Sequence, residues 1–343
     1  MEIAPASKRK RVNEGSNPEA IVRSATWKPY GDIVLQAEFT QFRVSRDLLS
    51  SQSTVFDDMF SVAQPSSAED PNASVEGCPL VVLAGDTARD WELLLELLYA
   101  PYKYSDQMPL EMLQTMFKLA SKYEMGGVRQ QAASLFHFEF PTQRDAFERR
   151  RRDSYGPWES ERIKFEKYLE VQLLELAYKY GIQTSLPTLG LLCLKRYSLD
   201  WLLGDRCTRS DKSRVILDSG LKQMLAIAWD RMLIRQTDLF EWLDALSYDS
   251  PSIPADDCVQ RNICKDRRNK VHRAIFRRRC RDRVLLLSTW DMANDEDFDP
   301  AMDFCALCET VARDEWERDM EVAWKALPGF FDLPKWAELK DVE

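Results

Sequence analysis

The chain has 343 residues, 45% of them hydrophobic and 11% aromatic, which is typical of globular proteins and sufficient for about two domains. The formal net charge of −9 argues against general binding to nucleic acid or to an anionic membrane. Because the sequence has no long apolar run and no apolar signal-peptide core at its N-terminus, we expect an intracellular protein that does not span a membrane. Its eight cysteines are then expected to be thiols or metal ligands.

Residues 1–26 are predicted to form a disordered basic tail. The tail contains four consecutive basic residues, Lys8, Arg9, Lys10 and Arg11. An extended basic peptide can act as a nuclear import signal, and a solvated tail is the alternative interpretation. The import interpretation slightly favours the nucleus over the cytoplasm.

Residues 31–60 change their periodicity partway along. Ile33, Leu35, Ala37 and Phe39 alternate with other residues, as in a strand, and a second short alternation follows at 42–44. Apolar residues from Leu48 to Phe60 then recur at helical spacing. The segment therefore predicts two short strands followed by two short helices.

Residues 78–140 predict one further strand and three helices. The uninterrupted run at 80–83 is typical of a strand covered on both faces. Thr87 is a candidate N-cap for a helix carrying Trp91 at its start. A second helix is predicted to end near Gly126–Gly127, which is its candidate C-cap. A third helix is predicted over 128–138. Residues 27–140 thus predict an α+β domain, a small sheet with helices.

The order of these motifs resembles that of a BTB/POZ domain: D-I-V-L from Asp32, F-R-V-S-R up to Arg46, and L-A-S-K-Y at 119–123. The resemblance implies assembly through protein partners, by a homodimer or by a cullin-type ubiquitin ligase, and no catalysis. It also implies that Asp32 and Arg46 form a buried charged pocket at the dimer face. The alternative is two surface residues flanking a hairpin.

The remainder of the chain is predicted to be a charged linker over 141–160 and an all-α domain over 161–343. Each periodic segment after 160 has helical spacing, and one of them repeats the L-A-x-K-Y spelling at 176–180. The aromatic sequence from Trp324 to Trp336 resembles the C-terminal region of fungal, agaricomycete-type BTB-domain proteins. It could dock into a partner or pack on the helical half itself.

Four cysteines have spacings that could serve a structural zinc. Cys305 and Cys308 form a C-x-x-C, and Cys258 and Cys264 are six residues apart. Cys280 and His272 are further candidates. Cysteine is also among the most buried residue types, so core packing is the alternative interpretation, and we expect no other cofactor.

The segment 261–283 contains eleven Lys or Arg against two Asp. Phosphate contact with nucleic acid is one interpretation, but no recognition motif accompanies the charge. Neutralisation by the acidic residues of 291–299 is favoured instead. With two histidines, no phosphate-binding glycine loop and no nucleophile motif, the sequence predicts a scaffold or adaptor rather than an enzyme. A nuclear nucleic-acid-binding regulator is the alternative.

Overall fold

The computed structural model describes residues 20–62, 74–150, 158–244, 252–275, 284, 286–287 and 304–342. These residues divide into two compact units. The first unit is formed by the described residues within 1–103 and 122–125, and the second by those within 104–121 and 126–343. The basic run at 8–11 lies outside the described residues.

The first unit contains a five-stranded sheet. Its strands are β1 (Val22–Trp27), β2 (Ile33–Ala37), β3 (Thr40–Val44), β4 (Ser74–Val75) and β5 (Cys78–Val82). Their spatial order is β1-β3-β2-β5-β4, with β2–β3 and β4–β5 antiparallel and the other two pairs parallel. Strand β1 begins inside the stretch predicted to be a disordered tail, because residues 22–27 pair with β3.

The described part of the first unit also contains three α-helices: α1 (Arg46–Gln52), α2 (Thr54–Ser61) and α3 (Ala88–Tyr99). Ser53 caps α2 by accepting from the Phe56 amide, and Thr87 caps α3 by accepting from the Asp90 amide, which confirms the predicted cap at Thr87. The expectation that 80–83 is covered on both faces is wrong for Val82, whose side chain is exposed.

The second unit contains helices and, among its described residues, isolated bridges instead of named strands. Its helices are α4 (Leu110–Lys122), α5 (Gly126–Glu139), α6 (Arg144–Arg150), α7 (Leu169–Tyr180), α8 (Leu186–Arg196), α9 (Leu199–Leu203), α10 (Ser219–Leu239), α11 (Arg261–Ile275) and α12 (Ala306–Phe330). Gly181 ends α7 in the left-handed region, at φ 68°. Gly126 instead begins α5, so the predicted C-cap there is wrong, and the left-handed residue after α4 is Glu124.

The segment predicted to be a charged linker contains α6, whose single large apolar residue is buried. Phe147 stacks on Trp158 and contacts Trp324, with ring centroids 5.8 Å and 5.2 Å away. Arg144 pairs with Glu148 and Glu317. Because one aromatic side chain and specific ion pairs hold α6, much of the charge here serves packing within the second unit.

The aromatic C-terminal sequence packs within the second unit. Trp324 and Trp336 stack with ring centroids 5.0 Å apart, and the indole of Trp336 donates to the carbonyl of Trp324 at 2.7 Å. The indole of Trp324 donates to the carbonyl of Thr142 at 3.1 Å. These contacts support the structural interpretation of the tail over the docking one. None of the helices among the described residues is both long and apolar enough to cross a bilayer.

Candidate assembly face and cysteine cluster

The last two residues of the L-A-S-K-Y motif, Lys122 and Tyr123, contact the buried carboxylate of Asp86. The sequence analysis did not identify Asp86. Asp86 accepts hydrogen bonds from the Trp91 indole at 2.9 Å and from the Tyr123 hydroxyl, and it pairs with Lys122. Burial, reinforced by the bond to Asp86, raises the pKa of Tyr123. The Lys and Tyr of the motif therefore both pair with the buried carboxylate of Asp86. The signal in the sequence was an Asp five residues before a Trp, which is too common a spacing to single out.

Asp32 and Arg46 lie next to each other at the start of α1. Oδ1 of Asp32 accepts from the backbone amide of Arg46 at 2.8 Å, and Oδ2 lies 3.7 Å from Nε of Arg46. The side chains are 57% and 34% exposed. Within one chain the pair is thus at the surface, so the expected buried pocket is not formed by a single copy.

The Arg46 side chain makes a cation–π contact with an aromatic ring. Its guanidinium carbon is 5.7 Å from the ring centroid of Phe60, a half-buried residue of α2. Nε of Arg46 is covered, yet it has no hydrogen-bond partner among the residues that the structure describes. A buried donor without a partner is costly, so this nitrogen is a group that an additional acceptor would stabilise.

The four predicted cysteines come together in the second unit. The sulfur atoms of Cys258, Cys264, Cys305 and Cys308 all lie within 4.8 Å of one another. Cys258 is in the loop before α11, Cys264 is in the first turn of that helix, and Cys305 and Cys308 are the N-cap and first turn of α12. All are free thiols and three are buried.

Two sulfurs of the cluster have opposite pKa shifts. The backbone amide of Cys308 donates to the Cys305 sulfur and is the main reason that the pKa of Cys305 falls to about 7. Burial raises the pKa of Cys308 to about 12, although the amide of Ala255 donates to its sulfur at 3.4 Å. His272 is outside the cluster, and the other candidate, Cys280, lies outside the described residues.

The basic segment is only partly described. Helix α11 covers 261–275, and 276–283 lie outside the described residues, as do the acidic residues of 291–299. Arg268 is buried and donates to the carbonyl of Ile253 at 2.8 Å. Arg261 donates to the carbonyls of Ala255 and Asp256 at 3.1 and 2.8 Å. Two of the cations therefore hold the loop that precedes the helix.

Comparison with protein families identifies the N-terminal part. Residues 24–137 match the model of the BTB/POZ domain. The chain therefore carries a BTB/POZ domain, with its small sheet and helices, followed by a helical region, which confirms the predicted fold class. This domain mediates protein–protein interaction and is generally non-catalytic. A search of curated proteins found no match to this chain.

Proposed function

We propose that this protein is a scaffold or adaptor that assembles as a homodimer through its BTB/POZ domain, with Asp32 and Arg46 at the contact face. The observation that carries the proposal is the ion pair at the start of α1, which one copy leaves at the surface. A second copy would bury the pair and offer an acceptor to the covered Nε of Arg46.

The energetics distinguish a contact residue from an ordinary surface pair. An exposed ion pair contributes about 0–1 kcal/mol, whereas removing one member of a buried pair costs about 3–5 kcal/mol. A substitution that barely affects folding but strongly weakens association would therefore locate the pair in an interface.

The edge of the sheet adds apolar surface to the same unit. Strand β1 lies at one end of the strand order, and Ile21 and Val22 at its start are 56% and 53% exposed. An edge strand with exposed apolar side chains favours pairing with another chain. This surface supports assembly of the first unit.

The test is the mass of the full chain in solution, measured by light scattering over a dilution series. Asp32→Asn keeps an oxygen for the Arg46 amide but removes the charge, and we expect it to weaken the dimer about 100-fold or more. Arg46→Asp combined with Asp32→Arg restores opposite charges and should recover part of the loss. Asp200→Asn, in an exposed pair with Arg206, is the control. A monomeric wild-type chain, or equal association of all variants, would refute the proposal.

The cullin-adaptor role stays a prediction from the resemblance. Affinity capture with purified cullin tests it directly, and absence of binding at micromolar concentration would count against it. The Asp32→Asn variant helps here too, because a cullin contact elsewhere would survive loss of the dimer.

Nucleic-acid binding is the less favoured alternative. Two of the arginines in α11, Arg261 and Arg268, donate to backbone carbonyls of their own chain, which leaves fewer cations for phosphate. We expect no retention on immobilised DNA or RNA at moderate salt. Retention that disappears when Arg277, Arg278 and Arg279 are changed to Glu would reverse this expectation.

A further inference from the structure

Over 261–273, where its side chains are described, helix α11 buries few apolar groups against the second unit. Its buried side chains there are those of Cys264, Arg268 and Val271, on one face. Burying one valine contributes about 1.5–3 kcal/mol. Ordering each backbone residue costs about 1–2 kcal/mol, so this burial offsets the ordering of about one or two residues.

The buried face of α11 begins at the cysteine cluster. Cys264 precedes Arg268 and Val271 by one and two helical turns, and its sulfur meets those of Cys258, Cys305 and Cys308. The cluster thus lies where α11, the loop before it and the N-terminus of α12 converge. A bond at this point would join all three segments.

The distances between sulfurs match tetrahedral coordination. A zinc–sulfur bond of about 2.3 Å places two sulfurs of a tetrahedron about 3.8 Å apart. The sulfurs of Cys258 and Cys305 are 3.7 Å apart, and all four lie within 4.8 Å of one another. A disulfide would need about 2.05 Å, so the arrangement is spaced for an ion between the sulfurs.

The surroundings suit thiolates. Cys305 and Cys308 lie at the N-terminus of the 25-residue helix α12, where the helix dipole favours negative charge. The amide of Ala255 points at the sulfur of Cys308, and such N–H donors stabilise metal-bound sulfur. Arg261 holds the carbonyls of Ala255 and Asp256, which fixes the loop that supplies this donor.

We propose that Cys258, Cys264, Cys305 and Cys308 bind one structural zinc ion that fastens α11 to α12. Binding converts the four thiols to thiolates and releases their protons to solvent, with no change in oxidation state. Four sulfur ligands close the coordination sphere, so the site is structural and leaves no position for a substrate.

The first test is the metal content of the full chain, purified under reducing conditions and dialysed against metal-free buffer. We expect one zinc per chain. Cys264→Ser and Cys308→Ser should each lower the zinc content at least tenfold. Cys78→Ser is the control, because Cys78 is a buried free thiol whose bond to the carbonyl of Gly31 a serine hydroxyl can replace.

Two further measurements keep the proposal testable if a variant fails to fold. Replacing zinc by Co²⁺ in the wild-type chain should give the visible absorption of a tetrahedral tetrathiolate site. Chelation should speed amide hydrogen exchange in 252–275 and leave the sheet of the first unit unchanged. A folded, zinc-free chain with unaltered exchange in α11, or sulfurs found oxidised to disulfides under reducing purification, would overturn the proposal.

Discussion

Two regions of the molecule hold their buried polar groups in different ways. In the first unit, the Asp86 carboxylate meets two aromatic donors and an ammonium group, and the rings of Phe56, Trp91 and Tyr123 pack against one another with centroids 4.9–5.8 Å apart. In the second unit, around α11, a buried Arg268 bonds to a backbone carbonyl and the anchoring side chains are thiols.

The difference follows from the supply of apolar side chains. Where large rings are available, they exclude water and make a saturated hydrogen-bond network strong, so the polar group stabilises a core that already exists. Helix α11 is mostly polar, so burial contributes little, and the proposed zinc would supply the anchor that apolar side chains do not. Three substitutions test this comparison outside the cysteine cluster itself.

The largest expected effect is at Asp86. Asp86→Ala leaves the Trp91 indole and the Tyr123 hydroxyl buried without an acceptor, and we expect it to lower the free energy of unfolding by about 3–5 kcal/mol. Asp86→Asn keeps one acceptor oxygen and should cost less. The measurement is urea denaturation of the full chain followed by tryptophan fluorescence.

The control for Asp86 is the exposed Asp58 of α2, where alanine should change stability by less than about 0.5 kcal/mol. Equal effects of the two substitutions would mean that the Asp86 network does not stabilise the first unit. The proposed contrast between this unit and the region around α11 would then fail.

The intermediate effect concerns close packing in the second unit, away from α11. A Cβ on Gly190 of α8 would overlap the ring of Phe331, which is fully buried, so Gly190→Ala should cost about 1–3 kcal/mol. Gly329 of α12 has open space around its Cα, and Gly329→Ala should be neutral or stabilising by up to about 1 kcal/mol.

Thermal melting of both glycine variants checks whether the second unit is tightly packed wherever apolar residues are present. If Gly190→Ala causes no loss of stability, the packing around Phe331 is loose. The sparse apolar burial of α11 would then not distinguish it from the rest of the second unit.

The sequence predicted the BTB/POZ domain from the alternation along β2 and the helical spacing after it, although Val34 is also buried and Phe39 is exposed beyond the end of β2. Ile33, Leu35 and Ala37 are all buried on β2, and the cap at Thr87 follows from local hydrogen bonding alone. The pairing of β1 with β3 was missed, because a short strand with few large apolar residues has no distinctive pattern. Gly126 was misassigned because its identity is compatible with either end of a helix.

The residues of both candidate sites could be named from sequence, but their environment could not. Asp32 and Arg46 came from the resemblance, whereas their exposure depends on whether another chain covers them. Of the four cysteines, Cys258 and Cys305 are 47 residues apart in the sequence. The distance between their sulfurs follows only from how α11 packs near α12. The L-A-x-K-Y spelling shows the same limit, because Tyr123 donates to Asp86 while Tyr180 stacks on Phe117.

The smallest expected effect is at Asp319 of α12, where a half-buried carboxylate accepts from a tryptophan, the indole of Trp242 at 2.8 Å. Burial, with a smaller contribution from Glu315, raises the pKa of Asp319 to about 7. Folding therefore takes up a proton between pH about 4 and about 7, and this group's contribution to stability falls as the pH rises through that window.

Asp319→Asn keeps an acceptor for the indole without the charge. Its gain in the free energy of unfolding should grow through the same pH window and reach about 1–2 kcal/mol above pH ~7, allowing for partial exposure to solvent. Asp314→Asn, exposed on the same helix, should show no such trend, and melting curves between pH 4 and 8 compare the two. A loss of stability in Asp319→Asn at pH 8 would mean that Asp319 is stabilised as an anion. The half-buried carboxylate of the second unit would then resemble the Asp86–Lys122 pair of the first.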